Sequence, residues 1–173
     1  MNLQDGETRT PREPAVRAVN EMLDARRRSL DLLEKVPADV RRAGIDLLVY
    51  LIGLQQRFSR RLVLRSWVRP WLVRGSHLQP PAELPDGILL SYRPAITPTG
   101  MTLEEVRSLD EAVTRTLRQR LNCFEHEEWG RLTVKNRHLG RALTFLQWLQ
   151  YFTRLEQELL ATLNATGGDR WIR

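Results

Sequence analysis

Apolar residues recur three and four positions apart in four stretches of the chain, and each stretch predicts a helix with one buried face. The most regular runs from Thr144 to Leu163, where Phe145, Trp148, Leu149, Phe152, Leu155, Leu159 and Leu163 form one stripe. Glu156 stands one residue beyond that stripe. Thr144 and Gln147 have the spacing of a capping box, with Gly140 upstream as a loop residue. Val106, Leu109, Val113, Leu117, Leu121 and Phe124 supply the stripe of another helix, down to about Glu125, which Thr102 and Glu105 open with a second capping box. Near the start, Thr10-Pro11-Arg12-Glu13 is a helix-start signal. Val16, Val19, Leu23, Leu30 and Leu33 carry that helix to about Val36, Arg26 interrupts its apolar seam, and Pro37 ends it. A further helix is predicted from Ala38 or Asp39 to Trp67: Ile45, Leu48, Ile52 and Leu47, Leu51, Leu54 form adjoining stripes, and Phe58 and Leu62 continue the buried side.

Between these helices the pattern breaks. From Pro70 to Met101 the chain carries Pro80, Pro81, Pro85, Pro94 and Pro98, a long crossover in which Trp71, Leu72 and Ile88 to Tyr92 favour a packed connection over a free linker. Ile88 to Tyr92 is expected to be a short extended piece. His126 to Arg141 reads as a connection, and Asn164, Gly167 and Gly168 close the last helix. The expected organisation is a flexible N-terminus over residues 1–9, a bundle over 10–165 and a tail over 166–173. The fold class is all-α, a four-helix bundle with a long crossover between helices 2 and 3.

A chain of 173 residues suits one domain, and folding at this size buries roughly 70% of the extended-chain surface. The longest apolar run, Ile45 to Leu54, is about half of the ~20 residues that a membrane span needs. A polar start without the pattern of a secretory signal, together with a single cysteine, predicts a soluble cytoplasmic protein without disulfides. The net charge of +6 rests almost wholly on arginine, since Lys35 and Lys135 are the only lysines.

The stretch around Gln147-Trp148-Leu149, read with the preceding RHLGRAL, resembles the last helix of the DinB/YfiT-like family of four-helix-bundle, thiol-linked metalloproteins. The family's usual pattern is a Gly-x-Leu-Thr entry, a Gln-Trp-Leu turn and then His-Glu-x-x-His. The resemblance spans roughly residues 15 to 163. It implies an up-down-down-up bundle, a homodimer, a link to damage or stress, and a nickel or zinc ion held by one histidine from helix 2 and two from helix 4. Residues four apart share a helix face, so His-x-x-x-His delivers two imidazoles to one point. In this chain Leu155 and Leu159 flank the retained Glu156 where the two histidines should be, and Ile52 falls at the helix 2 position. Three aliphatic replacements predict a metal site converted to core and no bound cofactor. Glu156 is expected to face away from the point where Ile52, Leu155 and Leu159 meet, with no ligand role.

Little else points to chemistry. His77, His126 and His138 do not have metal-ligand spacing, although His126, Glu127, Glu128 and His138 offer nitrogen and oxygen donors. Cys123, between Asn122 and Phe124, is expected to be a small core residue and not a reactive thiolate. Arg57, Arg60, Arg61, Arg65, Arg69 and Arg74 interleave with Trp67 and Trp71. Arg57, Arg61 and Arg65 share a face, a row that either follows a phosphate backbone or forms the wet side of helix 2. Trp67, Trp71 and Trp129 near the connections add to the expectation of a homodimer. The favoured reading is a metal-independent bundle acting through a pocket or surface on a small molecule or protein partner. Two competing readings are a metal-dependent thiol S-transferase or hydrolase with a relocated metal, and a weak nucleic-acid binder using the arginine row. No membrane partner is expected.

Overall fold

A computed structural model describes residues 12–67, 88–91, 96–123 and 133–165. The four long helices are α1 (Arg12–Leu33), α2 (Ala38–Trp67), α4 (Leu103–Leu121) and α5 (Phe145–Ala165). A short helix, α3 (Ile88–Ser91), precedes α4, and a hairpin of β1 (Thr133–Asn136) and β2 (Arg141–Thr144) precedes α5. The long helices pack as two pairs, α1 with α5 and α2 with α4, around one apolar core. Among the described residues no helix is long and apolar enough to cross a membrane.

Contacts along each pair ascend together. On α1 and α5, the Thr153 hydroxyl donates to the Ala18 carbonyl at 2.9 Å, and Arg26 meets Glu156 further on. On the α2 side, Asp46 accepts from Thr99 just ahead of α4, and Ser59 accepts from Arg120 near that helix's end. Between α1 and α2 the order reverses, with Gly44 against Leu33 and Gln55 against Met22. Arg41 secures that turn, donating to the carbonyls of Leu33, Glu34 and Val36 that the end of α1 leaves open.

Both capping boxes form. Thr102 Oγ1 accepts from the Glu105 amide while the Thr102 amide donates to the Glu105 carboxylate, and Thr144 and Gln147 exchange the same two bonds. The Thr102 backbone and hydroxyl donors hold the Glu105 carboxyl below its ordinary range.

Several expectations need correction. The connection before α5 contains the hairpin: Val134 pairs with Leu143, both buried, and Gly140 at φ 68 supplies the left-handed residue of the turn. The Trp148 indole donates to the Val134 carbonyl at 2.9 Å, so the hairpin is tied to α5 by a buried bond. Residues 88–91 are helical, not extended, with the Leu89 amide donating to the Glu158 carboxylate. Helix α4 stops at Leu121, and Cys123 beyond it is exposed, because the helix ends before its cysteine can turn inward. Val16 is 49% exposed, since the buried face of α1 runs through Ala15, Ala18, Val19 and Met22. The expectations for residues 1–11, 68–87, 92–95, 124–132 and 166–173, with Trp71, His77, His126 and Trp129 among them, lie outside the described residues.

Candidate functional site

Each long helix contributes one side chain to a hydrogen-bonded polar cluster inside the bundle: Arg26 from α1, Gln55 from α2, Asp110 from α4 and Glu156 from α5. Arg26 and Glu156 are 0% exposed and Gln55 is 1% exposed, while Asp110 keeps a side-chain exposure of 18%. Burying such groups is unfavourable unless they satisfy one another. Arg26 donates Nε to Glu156 Oε1 at 3.1 Å, and its Nη2 reaches the same oxygen. Its Nη1 donates to Asp110 Oδ1 at 2.5 Å, an oxygen that also accepts from the Thr114 hydroxyl at 3.2 Å. Gln55 Nε2 donates to Glu156 Oε1 and to Met22 Sδ, each at 3.4 Å.

The donors are unevenly shared. Glu156 Oε1 receives three bonds, whereas Glu156 Oε2 and Gln55 Oε1 are buried without a hydrogen-bond partner among the described residues. Burial acts against the charge on Arg26, yet Glu156 and Asp110 together hold its guanidinium above the ordinary value. For Glu156 burial is the larger influence and raises its carboxyl, with Arg26 only partly offsetting it.

The burial of Glu156 corrects its placement one residue beyond the apolar stripe. Phe152, Glu156, Leu159 and Leu163 are all buried at a spacing of three and four, so Glu156 belongs to the stripe itself. The same holds on α1, where Arg26 lies between Met22 and the buried Ser29 and Leu30. In the sequence, the signal for the cluster is this pair of charges.

Ile52, Leu155 and Leu159 are 0%, 1% and 0% exposed and belong to the common core. Among the described residues no group of three or more His, Cys, Asp or Glu side chains is placed to hold a metal ion. Comparison of the chain with protein-family models, with curated proteins and with solved structures finds no match in any of the three.

The arginine row is only partly a free surface. Arg57 and Arg60 are exposed, and the Arg57 guanidinium lies 5.7 Å from the centre of the Tyr50 ring. Arg61 is half-buried and donates to the Lys135 carbonyl at 3.1 Å, which ties α2 to the hairpin. The side chains of Arg65, Arg69 and Arg74 lie outside the described residues, and His138 is exposed in the hairpin turn.

Proposed function

We propose that the chain is a DinB/YfiT-like up-down-down-up bundle that has exchanged the family's three-histidine site for core and works, independently of metal, by binding a partner through its surface. The observation that carries this reading is the burial of Ile52, Leu155 and Leu159, none more than 1% exposed, at the positions the family resemblance gives to its imidazole ligands. Aliphatic side chains offer a metal no lone pair. The contacts that ascend along α1 and α5 and along α2 and α4, and reverse between α1 and α2, support the topology.

The polar groups at the centre support binding at the surface over catalysis in the core. Arg26, Gln55 and Glu156 are closed off from solvent, so a reactant reaches them only if the helices part. Their role in this reading is to join the four helices at one level of the bundle, as buried polar groups do where they specify one arrangement of a core. The test is elemental analysis of protein purified without a histidine tag and incubated with nickel and zinc. Substoichiometric metal is expected after desalting. One tightly held ion per chain overturns the reading in favour of a metal-dependent thiol transferase or hydrolase.

A further inference from the structure

The bonding at Glu156 is lopsided in a way that an ionised carboxylate does not favour. Its two oxygens share the negative charge, and each accepts hydrogen bonds with similar strength. Here Oε1 takes Nε and Nη2 of Arg26 and the amide of Gln55, while Oε2, equally buried, takes none. A carboxylic acid has that asymmetry by nature, with a carbonyl oxygen that accepts and a hydroxyl that must donate. The Gln55 carboxamide offers an acceptor for the hydroxyl. Gln55 Oε1 is buried and without a donor, and its carboxamide is already hydrogen-bonded to the same carboxyl group. One proton therefore satisfies both orphaned oxygens.

Charge leads to the same place. Among the described residues the charged groups acting on Glu156 are Arg26 from α1 and Asp110 from α4, and α2 contributes the uncharged Gln55. Arg26 carries one positive charge and Asp110 already matches it. An ionised Glu156 leaves an excess negative charge in the core, the least favourable state for a group wholly removed from water. Asp110 keeps 18% of its side chain exposed to water, whereas Glu156 has none.

We propose that Glu156 is a neutral carboxylic acid in the native protein at neutral pH, because Asp110 already matches the charge of Arg26, and that its Oε2 hydroxyl donates to Gln55 Oε1, so that the centre of the bundle holds one proton. This goes beyond the reading of the metal positions and does not depend on it. The direction in which burial moves the Glu156 carboxyl agrees. The folded state then binds a proton that the same glutamate releases in the unfolded chain. Its contribution to stability is complete below the unfolded value and declines as pH rises through the folded one.

Infrared spectroscopy of the intact protein tests this, because a protonated carboxyl has a carbonyl stretch separate from the bands of carboxylates. At neutral pH the wild type should show that stretch, and carbon-13 labelling of glutamate should shift it. Glu156→Gln, which keeps the shape of the neutral acid, should abolish it and flatten the decline of stability with rising pH. Asp110→Asn leaves Arg26 with one carboxylate, so Glu156 should ionise and the band should return only on acidification. Absence of the band from the wild type at neutral pH overturns the proposal, leaving an ionised Glu156 served by another donor such as an internal water. A band unmoved by glutamate labelling, or one that keeps its pH dependence in Asp110→Asn, overturns it as well. The labelling arm needs no substitution and stands even where Glu156→Gln does not fold.

Discussion

Arg26 and Glu156, 130 residues apart in sequence and each completely excluded from solvent, meet through two guanidinium nitrogens that converge on one carboxyl oxygen. The contact joins α1 to α5, and Asp110 and Gln55 extend it to α4 and α2. Replacing both partners of a buried hydrogen-bonded contact by apolar side chains is nearly neutral, but removing one leaves the other unsatisfied.

Arg26→Met is therefore predicted to cost about 1–3 kcal/mol, the range for leaving a buried hydrogen-bonding group unsatisfied. It leaves Glu156 Oε1 with only the long bond from Gln55. Adding Glu156→Leu should recover most of the loss, since Asp110 is partly exposed and can remain hydrated. Urea unfolding of the two variants and the wild type measures this, and a double variant no more stable than Arg26→Met would contradict it.

Ile52→Ala, Leu155→Ala and Leu159→Ala are each expected to cost about 2–5 kcal/mol, through reduced burial and the cavity left behind. None of the three is more than 1% exposed. If the positions instead border an open cleft, the same truncations come out nearly neutral. Denaturant midpoints at constant slope separate the two outcomes.

The long helices and their caps are legible in the sequence because spacing and cap chemistry agree over many residues. Thr102 with Glu105 and Thr144 with Gln147 form their reciprocal bonds, and α2 runs from Ala38 to Trp67 as its stripes predict. The hairpin is not, because strands of four residues are too short to establish a period of two. Its one local cue is Gly140 four residues beyond Asn136, which suits a turn and any other loop equally. The ion cluster is half legible. Arg26 is visible as an interruption of its seam, whereas Glu156 reads as flanking because Leu155 beside it completes an equally good stripe. Periodicity ranks positions by the residues that fill them, so a charge on the buried face counts against its own burial. Matching the Arg26 interruption on one helix to a glutamate of opposite sign on another locates both.

Nucleic-acid binding is predicted to be weak, without sequence preference, and to fade with salt. Arg57 and Arg60 are exposed, but Arg61 is committed to the Lys135 carbonyl and Arg57 lies over Tyr50. Replacing Arg57 and Arg60 by alanine should lower the slope of log affinity against log salt by about 1 for each phosphate that the protein no longer neutralises. Fluorescence titration of single-stranded DNA over a salt series reads that slope. Sub-micromolar, sequence-selective binding at physiological salt would show that the row recognises bases.

Two glycines of α2 should respond to the same substitution in opposite directions. Alanine is the better helix former, worth up to about 1 kcal/mol over glycine in a helix interior. At Gly53 a Cβ meets nothing within 4 Å, so Gly53→Ala should stabilise the protein by about 0.5–1 kcal/mol. At Gly44 the helices come too close for that gain to survive. A Cβ there lies 2.5 Å from Leu33 Cδ2 and 3.3 Å from Leu163 Cδ2, and both leucines are buried, at 0% and 3% exposure. Relief requires Leu33 to change rotamer in a filled core or α1 to move outward, and overpacking of this kind costs about 1–3 kcal/mol. The net effect of Gly44→Ala should be a loss of up to about 2 kcal/mol. Thermal unfolding of the two single variants beside the wild type gives both signs in one experiment. A stabilising Gly44→Ala would mean that α1, α2 and α5 are not in close contact at this level, and the packing of Leu33 and Leu163 against α2 would have to be redrawn.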